Sequence, residues 1–140
     1  SHWHVQSEVW SVTSFTELAR EAREVERWNR LHPTLLPRHS HVAQCLAGDT
    51  PAVAATDYVR ALPQLVASYV ACPYTVLGTD GFGRSDTRAA LRRFFEVDRH
   101  SIVVAALTAL ARRGVLDTGV CAQAIERYGI DADSAAPWAS

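Results

Sequence analysis

Nine residues, Gly78-Thr79-Asp80-Gly81-Phe82-Gly83-Arg84-Ser85-Asp86, directly follow the apolar run Tyr74–Leu77 and are the first place to look for chemistry. A loop that leaves a strand and enters a helix can present N–H groups and the positive end of a helix dipole to an anion. The spacing G-x-x-G-x-G of Gly78, Gly81 and Gly83 matches neither the dinucleotide fingerprint nor the phosphate-binding P-loop. No Lys-Ser or Lys-Thr pair follows, and Asp80 and Asp86 would repel a phosphate. The plainer reading is a tight turn with at least one of Gly81 and Gly83 at positive φ, and Phe82 tucked against a neighbouring surface. Ser85 or Asp86 then caps a new helix. Arg84 and Asp86 straddle Ser85, and Arg92 and Arg93 follow one or two turns on. Capping and solvated charge account for them, unless an ion pair reaches another domain or subunit.

Other reactive residue types are scattered. The pairs His2/His4 and His39/His41 share a strand face if extended, yet neither has a third ligand at a recognised spacing for a metal. Cys45, Cys72 and Cys121 are odd in number and contain no C-x-x-C, so they read as unpaired thiols of a reducing compartment. A Ser/His/Asp triad forms in space rather than in sequence, but no G-x-S-x-G elbow announces one. Trp3, Trp10, Trp28 and Trp138 are dispersed and do not alternate with basic residues as a nucleic-acid platform would. A formal net charge of -1 gives no general attraction to nucleic acid or an anionic membrane. No apolar run approaches the roughly 20 residues of a membrane span. The polar start is not a signal peptide, and Ser1-His2 reads as a remnant of cloning.

The elements that must position these residues can be read from periodicity. Glu8–Val12 alternates polar with apolar and reads as a strand. Ser14-Phe15-Thr16-Glu17 fits a capping box, with Ser14 the cap and Glu17 reaching back. Phe15, Leu18, Ala19, Ala22, Val25 and Trp28 form one apolar stripe of a helix that ends before Pro33. His32 to Asp49 is the longest connection and the segment best suited to a contact role, with a helical turn or short strand at Val42–Leu46. Pro51–Thr56 reads as a buried strand, Tyr58–Val70 as a helix with Pro63 in its first turn, and Tyr74–Leu77 as a third strand. Helices follow at about Asp86–Phe95, Ser101–Arg113 and Thr118–Tyr128, with Asp98 and Asp117 as N-caps and Gly114 and Gly129 as stops. Residues 134–140 read as a frayed tail. Alternating strands and helices, with hydrophobic residues at 48% and charged residues at 21%, give an α/β domain: an open, mostly parallel sheet between helices, three layers in all.

Three segments carry a family resemblance: residues 10–20 (Trp10-Ser11-Val12-Thr13-Ser14-Phe15-Thr16-Glu17-Leu18-Ala19-Arg20), Glu26-Arg27-Trp28-Asn29-Arg30-Leu31-His32-Pro33, and the glycine loop at 78–86. In one register from about Val9 to about Asp133, the chain resembles the C-terminal region of the homodimeric bacterial pyruvate dehydrogenases (acetyl-transferring), a transketolase C-terminal-like domain. The resemblance implies a parent that uses thiamine diphosphate and magnesium, decarboxylates pyruvate oxidatively and acetylates the lipoyl group of dihydrolipoyl acetyltransferase. It implies a cytoplasmic homodimer linking glycolysis to the citric acid cycle. Residues 1–140 would then be part of the last of three domains, serving scaffold and dimer packing.

The resemblance transfers no catalytic, cofactor or metal residue. The family's diphosphate motif begins Gly-Asp-Gly, whereas this chain has Gly48-Asp49-Thr50 and Gly78-Thr79-Asp80-Gly81. Gly78, Asp80, Gly81, Phe82, Gly83, Arg84, Ser85 and Asp86 carry over as a family motif of turn, cap and interface. The competing reading is a stand-alone doubly wound module binding a small anion at Gly78–Ser85. In domains of this resemblance a further strand lies between the counterparts of Glu8–Val12 and Pro51–Thr56. The expectation is therefore that a second copy, an upstream segment or a rearranged sheet fills that place, because buried unpaired backbone groups cost about 1–3 kcal/mol each.

Overall fold

The computed structural model describes residues 3, 5–56, 59–78 and 98–133. Helix α1 spans Phe15–Leu31. Ser14 is extended and its hydroxyl accepts from the Glu17 N–H at 3.2 Å. Only half of the expected capping box forms. The Glu17 carboxylate turns instead to Arg20, at 2.8–2.9 Å, because a guanidinium one turn on offers two charge-assisted donors. The stripe read from sequence is the face that packs: Ala19 and Ala22 are buried, and Phe15 and Leu18 pack against them.

Helix α2, His41–Cys45, is capped by Ser40, whose hydroxyl accepts from Ala43 N–H. Strands β1 (Ala52–Ala55) and β2 (Tyr74–Leu77) pair in parallel, with Ala52 opposite Tyr74 and Ala55 opposite Leu77. Ala52 N–H donates to Pro73 and Thr56 N–H to Leu77, at 2.8 and 3.0 Å. Between the strands lie α3 (Ala61–Gln64) and a single 3₁₀ turn at Ala67–Tyr69. Helices α4 (Arg99–Arg112) and α5 (Thr118–Arg127) close the described chain. Each starts on the aspartate expected: Asp98 accepts from Ser101 N–H, and Asp117 from Gly119 N–H. Each ends in the same six-residue closure. Gly114 and Gly129 have φ of 77° and 65°, and Val115 and Ile130 N–H reach back to Leu110 and Ile125.

The core has two parts. Ala19 and Ala22 of α1 meet Val42 of α2 and Val66, with Tyr69, Val70 and Tyr74 around them. Helix α4 packs over both strands and against α5, with Leu107 and Ala124 buried between. Fully burying a side chain such as Val66 or Leu107 contributes about 1.5–3 kcal/mol.

An α/β fold with a parallel sheet is what the sequence predicts, but three elements differ. Glu8–Val12 is no strand: Val9 is 91% exposed, and Trp10 and Val12 lie at the surface. Alternation selects a face, whereas a strand also needs a partner to complete its ladder, and among the described residues β1 and β2 pair only with each other. For the same reason β1 is half-buried to exposed rather than buried. The helix expected over Tyr58–Val70 is two short pieces. Pro63 sits in the first turn of α3, but Val66 (φ −95°, ψ −1°) leaves α geometry and Tyr69 N–H closes back to Val66 as a 3₁₀ turn. Apolar residues three apart, such as Pro63, Val66 and Tyr69, fit 3₁₀ spacing as well as α spacing. The helix expected at Asp86–Phe95, the remnant at 1–2 and the tail at 134–140 lie outside the described residues.

Candidate functional site

The exit from β2 is where the sequence locates its motif, and Gly78 is the one motif residue among those described. It is buried, and its backbone is met by the start of α3. A Cβ built on Gly78 would stand 2.9 Å from both the Cα and the N of Arg60, and would overlap the Arg60 side chain as well. Here glycine is needed for close approach of two backbones, not for a left-handed conformation. Asp80, Gly81, Phe82, Gly83, Arg84, Ser85 and Asp86 lie outside the described residues, and with them the expected positive φ at Gly81 or Gly83.

The connection from His32 to Asp49 is held along α1 by side-chain bonds. Asn29 clasps Arg38 from both sides: its amide donates to the Arg38 carbonyl at 2.9 Å and its oxygen accepts the Arg38 N–H at 2.8 Å. The Arg38 guanidinium lies 3.7 Å from the Trp28 ring centroid, and His32 also stacks on Trp28, at 4.1 Å. Glu21 accepts the His41 N–H at 2.9 Å. The loop pinned in this way carries Leu35 and Leu36 outward, Leu36 at 89% exposure, next to exposed Leu31. Val9, Trp10 and Val12 are likewise exposed, on the segment that leads into α1. Sequence reasoning placed Trp28 in the core stripe and missed its role as the platform for Arg38. The i, i+4 spacing of Trp28 and His32 was a usable signal, but nothing in the sequence pairs Trp28 with Arg38.

A third cluster joins residues far apart in sequence. Trp3 donates from its indole nitrogen to the Tyr128 hydroxyl at 2.7 Å, and His100 stacks on Tyr128 at 4.3 Å with Asp98 4.0 Å from its ring nitrogen. Arg113 closes another long link, donating to both the carboxylate of Asp49, at 2.8 Å, and its backbone carbonyl. Elsewhere, burial and then the neighbouring Cys72 push the Tyr74 hydroxyl up to about 12, and its proton is donated to the Pro63 carbonyl at 2.7 Å. Hydrogen bonding and charge from Arg20 lower the Glu17 carboxyl.

His39 and His41 do not share a strand face: His41 opens α2 and His39 precedes its cap. Among the described residues no three of His, Cys, Asp and Glu converge as metal ligands. Nor is any described helix long and apolar enough to cross a membrane. Cys45, Cys72 and Cys121 are free thiols. The described geometry fixes loops on helices and presents apolar surface.

Comparison with known proteins shows which family the chain resembles. The family model for the transketolase-like TK C-terminal domain matches residues 1–98. The "Pyruvate dehydrogenase E1 component" of Escherichia coli K12 is 55% identical over 134 residues, 95% of this chain and 15% of that protein. That of Cupriavidus necator is 52% identical over 136 residues, and that of Mycolicibacterium smegmatis 47% over 137, again across 15% of each relative. The chain thus spans about 15% of the length of the curated relatives it matches. It belongs to the transketolase-like C-terminal domain family and is about 52% identical to the C-terminal region of bacterial pyruvate dehydrogenase E1 components.

Proposed function

We propose that this chain is a non-catalytic scaffold and dimer-packing domain of a thiamine-diphosphate-dependent pyruvate dehydrogenase. The parent enzyme decarboxylates pyruvate oxidatively and passes the acetyl group to the lipoyl group of dihydrolipoyl acetyltransferase in the cytoplasm. Thiamine diphosphate with magnesium supplies the electron sink of that reaction from other domains of the homodimer. This chain's own residues supply shape. Identity above 50% across 95% of the chain is the observation that carries the reading. It is supported by the apolar residues left at the surface, Val9 and Trp10 on one segment and Leu35 and Leu36 on another, which suit packing against further protein. The close backbone approach at Gly78 also favours a turn packed on protein over one opened toward an anion. On this reading the motif residues Gly78, Asp80, Gly81, Phe82, Gly83, Arg84, Ser85 and Asp86 turn the chain, cap a helix and meet a neighbouring domain.

Calorimetric titration of the chain tests this. With thiamine diphosphate and magnesium no saturable binding is expected, and micromolar binding would overturn the non-catalytic assignment. A parallel titration with inorganic phosphate addresses the competing anion-binding module, since saturation abolished by Gly81→Val would favour that module.

A further inference from the structure

Helix α2 carries two reactive side chains one turn apart, and neither has a part in the scaffold reading. Cys45 Sγ lies 3.5 Å from His41 Nε2. This is hydrogen-bond distance for sulfur, and i, i+4 spacing puts both groups on one side of the helix. The turn that carries them is fixed on several sides. Ser40 caps it, Glu21 of α1 accepts the His41 N–H, Gln44 donates to the His39 carbonyl at 2.8 Å, and Val42 is buried in the core. The pair faces solvent on this anchored turn: His41 is exposed and Cys45 half-buried. Cys72, by contrast, is 7% exposed, and Cys121 is half-buried on α5.

We propose that Cys45 and His41 form a thiol–imidazole pair that makes Cys45 the site at which this chain is covalently modified by soft carbon electrophiles. A thiol reacts through its sulfur lone pair once the S–H proton is drawn off. His41 accepts that proton at Nε2 and passes a proton on to solvent. With an alkyl iodide, the sulfur forms the new S–C bond while the C–I bond breaks and iodide leaves with its electron pair. No oxidant or reductant is required.

Timed alkylation of the folded full chain with iodoacetamide, read by peptide mass spectrometry, tests the assignment. Cys45 is expected to react about three- to tenfold faster than Cys121, the factor that one net hydrogen bond is worth, and faster still than Cys72. H41Q and H41A each retain the backbone bond to Glu21, and both should slow Cys45 by that factor while leaving Cys121 unchanged. Denaturant should abolish the preference. The proposal is overturned if Cys121 or Cys72 reacts as fast as Cys45, if both His41 variants keep the original rate, or if the preference survives unfolding.

Discussion

Replacing Gly78 by alanine is the sharpest test of how the end of β2 is built. The added methyl carbon would stand 2.9 Å from two backbone atoms of Arg60, which cannot rotate away as a side-chain tip can. Either β2 or the start of α3 must shift, and forced overpacking of this kind costs about 1–3 kcal/mol. At an unfolding entropy of about 2.1 cal/mol/K per residue, 140 residues give about 0.3 kcal/mol per degree, so Tm should fall by about 3–10 °C. Gly119→Ala is the matched control. It lies in the first turn of α5, and its nearest would-be contact is the Asp117 carboxylate at 3.8 Å. There the methyl group removes unfolded-state freedom without a clash and should stabilise by about 0.4–1 kcal/mol. Thermal unfolding followed by circular dichroism, with both variants beside the parent chain, reads the difference. If Gly78→Ala melts within a degree of the unmodified chain, or the order of the two variants is reversed, the close-approach argument is wrong.

Alkaline pH should unfold the chain in part through Tyr74. Its folded-state value is raised from 10 to about 12, so the stabilisation is complete below pH 10 and is lost as pH rises through about 12. Two pH units correspond to about 2.7 kcal/mol, and screening of a half-buried ring reduces the expected loss to about 1–2 kcal/mol. The chain's fourteen basic side chains are all arginine, so no lysine titrates in that window, and Tyr74→Phe should flatten the urea-derived stability profile between pH 10 and 12. At neutral pH the same substitution should cost about 0.5–1.5 kcal/mol for the lost bond to the Pro63 carbonyl. Arg113→Ala should destabilise more than Asp49→Ala, because Arg113 also holds the Asp49 carbonyl, while the exposed ion pair alone is worth about 1 kcal/mol or less. Equal urea midpoints for the two variants would refute that. Ser14→Ala should cost about 1 kcal/mol as a lost cap, whereas Glu17→Gln should lower the urea midpoint less, since the Glu17 side chain does not complete the box and loses only an exposed ion pair with Arg20.

Local signals in the chain were sufficient wherever the interaction that decides structure is itself local. Ser14, Asp98 and Asp117 cap helices because each hydroxyl or carboxylate reaches an N–H only two or three residues on. Gly114 and Gly129 end helices because a left-handed residue is needed there. The stripe on α1 and the parallel pairing of Pro51–Thr56 with Tyr74–Leu77 were legible from periodicity and from the helical spacing between them. Gly78 was legible as part of a glycine-rich turn, but only folding brings the Arg60 backbone against it.

What the chain could not announce was every outcome set by a partner distant in sequence. Glu8–Val12 has the alternation of a strand, yet among the described residues it joins no ladder and lies exposed at the surface. Trp28 carries the stripe of a core residue yet becomes the platform for Arg38, ten residues away, because Asn29 clasps that segment back onto α1. Trp3 meets Tyr128 across 125 residues, and Asp49 meets Arg113 across 64. Composition and periodicity determine which surfaces must be buried and where helices begin and end, because those depend on bonds within a turn or two. Which buried surface meets which, and which apolar residues are left uncovered, is settled only in three dimensions, where one partner's packing excludes another's.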